Sequence, residues 1–369
     1  MNKTVGIIIA AIVIIGAGAG IIAINNKSDN KASSTPKTAV TITGAGSTFA
    51  APLYGQLGSE YKSRDNVTVN YQSVGSGAGI TQFIAKTVNF GATDVALKDS
   101  EAEKAQPNGD PINVPVAFGA ITVSYNVPGV KSGLKFDGTT IANIYLGKIT
   151  KWNDDAIKSL NPDVNLPDMA IAPVYRSDSS GTTSQFTTFL SSESADWKSE
   201  IGSDKTVKWP VGTGSKGNDG AAATISQTEG GFGYVELAYA LQNKFTYASV
   251  KNIAGDYVEP SLDSTSKAGQ SIADLPDDLR FTSIDSASKG AYPIASPTFI
   301  VAYKDICKSG AVKNATEAGA LQGWLNYILG DGQSSMKKLY YAPLPSDLLA
   351  KAQGKVAGMT CNDEKIQAR

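Results

Sequence analysis

Three times along this 369-residue chain, a short β-prone run stops at a cluster of small and hydroxyl-bearing residues and a helix-patterned run follows. Val40–Thr43 passes through Gly44-Ala45-Gly46-Ser47-Thr48-Phe49 into a helix entered near Pro52. Val67–Val74 passes through Gly75-Ser76-Gly77-Ala78-Gly79 into a helix from Ile80. Ile171–Tyr175 passes through Arg176-Ser177-Asp178-Ser179-Ser180-Gly181-Thr182 into a helix through Leu190. Strands that alternate with helices specify an α/β fold. In open sheets of that class, ligands collect beyond the carboxyl ends of the strands.

Other runs extend the pattern. Val88–Thr93, Ala120–Asn126 and Phe299–Tyr303 read as strands, and Leu321–Leu329 reads as a late helix with Trp324 in the core. The stretch 252–285, rich in Ser, Asp and Gly, reads as an irregular surface excursion. No repeat at a solenoid period is visible. The length suggests about two domains.

Residues 1–24 contain an uncharged, strongly apolar stretch, Val5–Ile24, flanked by Lys3 and Lys27. Twenty such residues in a helix span about 30 Å, the thickness of a bilayer core. A secretory signal has a shorter apolar region, about 7–15 residues, so a retained anchor is the expectation, with cleavage near Ala17 or Ala19 the alternative. Either way the remainder lies outside the cytoplasm. Residues 25–38 are polar and without period, as expected of a linker. Cys307 and Cys361 are the only cysteines. In an exported chain two cysteines most simply form one disulfide; two buried thiols are the alternative.

Composition narrows the chemistry. The chain has no histidine, which excludes His-dependent nucleophiles, His-bearing metal sites and a histidine pH switch. With 33 Lys+Arg against 34 Asp+Glu, it lacks the cationic surplus of a broad nucleic-acid binder. Gly212-Thr213-Gly214-Ser215-Lys216-Gly217 fits G-x-G-x-x-G, but Lys208-Trp209-Pro210 before it is a poor strand end, so a dinucleotide site is not expected. No phosphate-cradling G-x-x-x-x-G-K-[ST] loop and no calcium loop occurs. No cofactor, metal or catalytic residue is expected.

The three turns point to an anion. A helix N-terminus leaves its first N–H groups unpaired and carries partial positive charge. Hydroxyls add directed donors, and glycine lets an anion approach the backbone. One such turn alone is ordinarily a cap; three on one scaffold suggest a site. Arg176 can hold an oxyanion with two parallel bonds, although a surface pair with Asp178 also fits. Asp94 closes the run from Val88. A carboxylate among anion-binding donors repels the anion unless it accepts a proton from it, which selects an oxyanion still protonated near neutral pH, such as hydrogen phosphate. As a lone residue, Asp94 also fits a cap or turn.

With these turns located, the chain resembles the phosphate-binding proteins of phosphate ABC importers from about Thr41 to about Asp347. The matching segments include GAGSTFAAPLY from Gly44, YQSVGSGAG from Tyr71, VNFGATD from Val88, RSDSSGT from Arg176 and VKWPVGTGSKGNDG from Val207. GYVELAYA from Gly233, YPIASPTFI from Tyr292 and YAPLP from Tyr341 continue the match. The resemblance implies a two-lobed periplasmic-binding-protein clamshell of type II, each lobe a mixed sheet flanked by helices, with two hinge crossovers. Residues 39–116 and 292–369 would form one lobe, and 117–291 the other. It implies phosphate contacts from Ser47, Thr48, Phe49 (through its backbone N–H), Ser76, Asp94, Arg176, Ser180, Gly181 and Thr182. It also implies delivery to the transmembrane subunits of an ABC permease, without catalysis. Ala50, Gly77 and Ala96 stand where the family often has Pro, Ser and Pro. Another tetrahedral oxyanion, a phosphatase using Ser76 or Ser180, and a surface phosphate sensor without transport are the alternatives.

Overall fold

The computed structural model describes residues 38–272 and 275–367. The anchor expected over residues 1–24, and the linker up to residue 37, lie outside them. No helix among the described residues is long and apolar enough to cross a membrane.

The first strand-to-helix unit is β1 (Val40–Gly46) and α1 (Ala51–Asp65), with Pro52 in the first helical turn, where its missing N–H costs nothing. The second is β2 (Val67–Ser73) and α2 (Ser76–Ile84), followed by β3 (Phe90–Thr93). The α2 helix starts four residues before the expected Ile80. Its Gly-Ala-Gly start hides the apolar period, yet glycine is needed there: a Cβ on Gly79 would lie 2.3 Å from the Gly46 Cα.

The longest strand is β4 (Pro111–Asn126), sixteen residues of nearly continuous burial. Only its second half was legible as a strand, because Pro111 and Pro115 interrupt the first. Pro115 has no N–H for a ladder, and there the pairing skips Val116. The third unit is β5 (Ala172–Arg176) and α3 (Gly181–Glu193). A fourth, not foreseen, is β6 (Thr213–Ser215) and α4 (Gly217–Gln227), followed by β7 (Gly231–Glu236). The late strand β8 (Ala295–Tyr303) and helix α5 (Ala315–Ile328) close the framework, with Trp324 fully buried as expected.

The nine-stranded sheet has the order β2-β1-β3-β8-β4-β7-β5-β6, with Thr246–Tyr247 also paired to β4. The β1, β2 and β3 strands are mutually parallel, as are β5, β6 and β7. The β4 strand joins the two sets. It pairs with β8 as far as Ala120 and with β7 from Ile121 onward. The sheet therefore has two halves that share one unbroken strand.

The 252–285 stretch is more regular than expected. Tyr257–Val258 pairs with Val250 and Lys251, and Leu262–Gln270 is a helix capped by Ser261. Its buried face is made of Ser264, Thr265, Ala268 and Gly269, small residues that carry little apolar signal. Cys307 and Cys361 form a disulfide.

Candidate functional site

The turn after β1 is clamped by three tyrosines. The Tyr71 hydroxyl donates to the Ser47 carbonyl at 2.7 Å, Tyr239 to Thr48 at 2.7 Å and Tyr341 to Phe49 at 2.6 Å. In a planar trans peptide the following N–H points away from the carbonyl. Each fixed carbonyl therefore also fixes the N–H that follows it, those of Thr48, Phe49 and Ala50, pointing away from the tyrosine that holds it. The Ala50 N–H is taken by Ser47 Oγ at 3.1 Å. The Phe49 ring is fully buried and packs edge-on against Tyr341, so only the backbone of Phe49 faces the site.

Ser76 opens α2, with Gly75 before it at φ +94°. It is 1% exposed, and its Oγ lies 3.3 Å from Asp94 Oδ2. Asp94 follows β3 directly and is also 1% exposed. Its Oδ1 accepts from Ser47 Oγ at 2.5 Å and from Thr298 Oγ1 at 2.9 Å. Gln185 Nε2 donates to the Asp94 carbonyl at 2.8 Å. Burial pushes the Asp94 carboxyl up to about 6, against the opposing pull of Ser47, Thr298, Arg176 and Ser76.

The other half of the sheet supplies the cation. Arg176 ends β5 and is 3% exposed. The surface pair considered for it exists, but it is buried: Nε meets Asp178 Oδ1 at 2.7 Å and Nη2 meets Oδ2 at 2.5 Å. Burial would raise the Asp178 carboxyl, but its bonds to Arg176 and the Gly217 N–H bring it below its ordinary range. The third guanidinium nitrogen, Nη1, lies 3.3 Å from Thr182 Oγ1. Ser180 caps α3, its Oγ accepting the Thr183 N–H at 3.1 Å. Gly181 and Thr182 form the first turn of α3, where N–H groups have no partner within the helix.

The two halves meet at this point. A Cβ on Gly181 would lie 2.5 Å from Ser76 Oγ and 2.6 Å from Asp94 Oδ2. The structure thus gathers Ser47, Thr48, Phe49, Ser76, Asp94, Arg176, Ser180, Gly181 and Thr182 around one buried locus. Thr298 and Asn218 also belong there and were missed. Thr298 sits at the amino end of β8, brought beside Asp94 by the pairing of Phe299 with Thr93. Asn218 is fully buried in the first turn of α4 and bonds to both Thr48 and Thr182. Its segment matches the family resemblance as a whole, but neither that match nor the G-x-G-x-x-G pattern singles out Asn218, and the strand before it is just three residues long. The result is a set of hydroxyl, backbone and guanidinium donors around the Asp94 carboxyl, while the second carboxylate at the site, Asp178, is taken up by Arg176 and the Gly217 N–H. No cluster suited to hold a metal occurs among the described residues.

Residues 31–332 match the PBP superfamily domain. Over 329 residues, 87% of each chain, the sequence is 40% identical to the phosphate-binding protein PstS of Xylella fastidiosa strain Temecula1. The chain belongs to the PstS family of phosphate-binding proteins. A second PstS relative, from Pasteurella multocida strain Pm70, is 39% identical over 320 residues, 86% of this chain and 90% of that one. Among solved structures, the high affinity periplasmic phosphate-binding protein PfluDING, bound with phosphate, matches with a TM-score of 0.69 at 19% identity. That match covers 87% of this chain and 99% of PfluDING, and gives the two-lobed type II periplasmic-binding-protein fold.

Proposed function

We propose that this PstS-family chain captures inorganic phosphate outside the cytoplasm and delivers it to the transmembrane subunits of an ABC permease, without covalent chemistry. The observation that carries the reading is the buried Asp94 carboxyl among donors from both halves of the sheet, with the neighbouring Asp178 already paired to Arg176. A monoprotonated phosphate has one hydrogen to give Asp94 and bare oxygens for the donors. Sulfate has no hydrogen to give, and would meet repulsion. The names of the relatives support the same ligand.

In this reading the N–H groups of Thr48 and Phe49, the hydroxyls of Thr48, Ser76, Ser180 and Thr182, the Gly181 backbone and the Arg176 guanidinium hold the anion, while the Ser47 hydroxyl, whose hydrogen goes to Asp94, orients that carboxyl. Residues 39–116 with 292–369 form one lobe and 117–291 the other. The lobes rock about the crossovers, and phosphate bridging them favours the closed form by its differential affinity. The apolar stretch within residues 1–24 tethers the receptor to the outer face of the membrane. Calorimetric titration of the purified protein with phosphate, then with sulfate, tests the ligand. Saturable phosphate binding with no sulfate heat is expected; equal binding of the two would overturn the assignment.

A further inference from the structure

Asn218 touches both lobes of the site through one side chain. Its Nδ2 lies 2.9 Å from Thr48 Oγ1 and 3.1 Å from Thr182 Oγ1, and its backbone N lies 3.1 Å from Thr48 Oγ1. Its Oδ1 accepts the backbone N–H of Glu236 at 3.0 Å. That last contact fixes the amide. A backbone N–H can only donate, so the amide atom facing it is the oxygen, and the NH2 faces the threonines.

An amide NH2 also can only donate, so each threonine oxygen accepts from it. Thr48 Oγ1 therefore accepts two N–H groups, both from Asn218. Thr182 Oγ1 accepts from Asn218 Nδ2 and from Arg176 Nη1 at 3.3 Å. A hydroxyl has two acceptor positions and one hydrogen. With both positions taken, each of these hydroxyls is left only its hydrogen to offer. We propose that Asn218 is a positioning residue that holds Thr48 and Thr182, one from each lobe, as obligatory donors to the bound oxyanion. The inference rests on the phosphate reading above. It divides the site into a donor side, set by Asn218, and an acceptor side, set by Asp94, and so matches an anion carrying one proton and several bare oxygens.

The test is calorimetry with inorganic phosphate on the wild-type protein, Asn218→Ala, the double variant Thr48→Val/Thr182→Val, and the triple combination. Wild-type binding decides the phosphate reading by itself, and its absence would overturn this inference too. Hydrogen bonds to a charged group contribute roughly tenfold to a hundredfold each, so Asn218→Ala is expected to weaken binding by about tenfold. Because Asn218 acts through the two threonines, the triple variant should bind within about twofold of the double. Wild-type affinity in Asn218→Ala, or losses that multiply in full, would overturn the proposal; a general loss of packing would give the multiplied result. Asn218→Asp retains the shape and keeps the question open to measurement if the alanine variant does not fold. It turns a donor into an acceptor that draws both hydroxyl hydrogens away from the ligand. Its binding should fall by roughly a hundredfold, from two lost hydrogen bonds, and wild-type affinity there would also overturn the proposal.

Discussion

The Gly77 N–H donates to the Ser179 carbonyl at 2.9 Å, although Gly77 lies beyond β2 and Ser179 beyond β5, on opposite halves of the sheet. The contact depends on Gly77 having no side chain. A Cβ there would lie 2.1 Å from Ser179 Oγ and 2.5 Å from Ser179 Cβ. Gly77→Ala should therefore oppose closure and weaken phosphate binding by roughly tenfold, in line with overpacking costs of 1–3 kcal/mol. The melting temperature without ligand should hold or rise, since Ala favours a helix more than Gly. Adding Ser179→Gly should restore binding. Calorimetry and thermal melts check all three.

Asp94 predicts a pH dependence. Its carboxyl is raised from 3.8 to about 6 in the folded protein by burial, so the native state holds the proton more tightly than the unfolded chain. Stabilisation from that proton is fully present below the ordinary carboxylate value and is lost as pH rises through about 6. The melting temperature of the ligand-free protein should fall between pH 5 and 7.5 for this reason. Glu193 is also raised to about 6, so the Asp94 share is the difference between wild type and Asp94→Asn. Equal pH slopes in the two would refute it.

The same proton governs selectivity. Above pH 6 the Asp94 carboxylate repels a fully ionised anion, and below it the neutral acid does not. Sulfate affinity should rise by at least tenfold between pH 7.5 and 5 in wild type, a change of about 1.4 kcal/mol. Asp94→Asn should bind sulfate independently of pH across that range and bind phosphate more weakly than wild type at pH 7.5. Competition of sulfate against phosphate at several pH values provides the readout.

Two ion pairs join the short helix Asp99–Ala105 region to the loop before residue 206. Lys205 Nζ meets Glu101 Oε1 at 2.7 Å with side chains 5% and 20% exposed, and Lys98 Nζ meets Asp204 Oδ1 at 2.7 Å with both near half exposed. The buried pair should matter more, because removing one partner strands the other without water. Glu101→Gln is expected to speed phosphate release in stopped flow by about fivefold to tenfold, whereas exposed pairs such as Lys98–Asp204 contribute 0–1 kcal/mol. Equal effects of Glu101→Gln and Asp204→Asn would contradict this ranking.

The Cys307–Cys361 disulfide closes a loop with a sequence separation of 54. Reduction should destabilise the protein by about 4 kcal/mol in the chain-entropy description. Neither cysteine lies in a segment that supplies the site, so phosphate affinity below the melting transition should stay within about twofold, the usual behaviour of distant sites. Denaturant unfolding and calorimetry, with and without reductant, measure the two quantities separately.

The turns were legible because each carries its own signal: a β-prone run, then glycine and hydroxyl residues, then a helix. Arg176 and Asp94 stood out as charges beside such turns. Thr298 and Asn218 did not, because their roles come from pairings far apart in the chain. Thr298 reaches Asp94 across 204 positions and Asn218 reaches Thr48 across 170. The tyrosine clamp was invisible for the same reason, with Tyr341 and Phe49 separated by 292 positions. The first half of β4 was concealed by prolines, and the Leu262–Gln270 helix by a buried face of small residues.

The continuity of β4 sets the mechanical character of the molecule. On the proposed reading, opening of the lobes would bend a strand held by β8 over its first part and by β7 over its second, instead of loosening a slack tether. Such a joint would return the turns of the site to one alignment by bending alone, with no ladder to re-form.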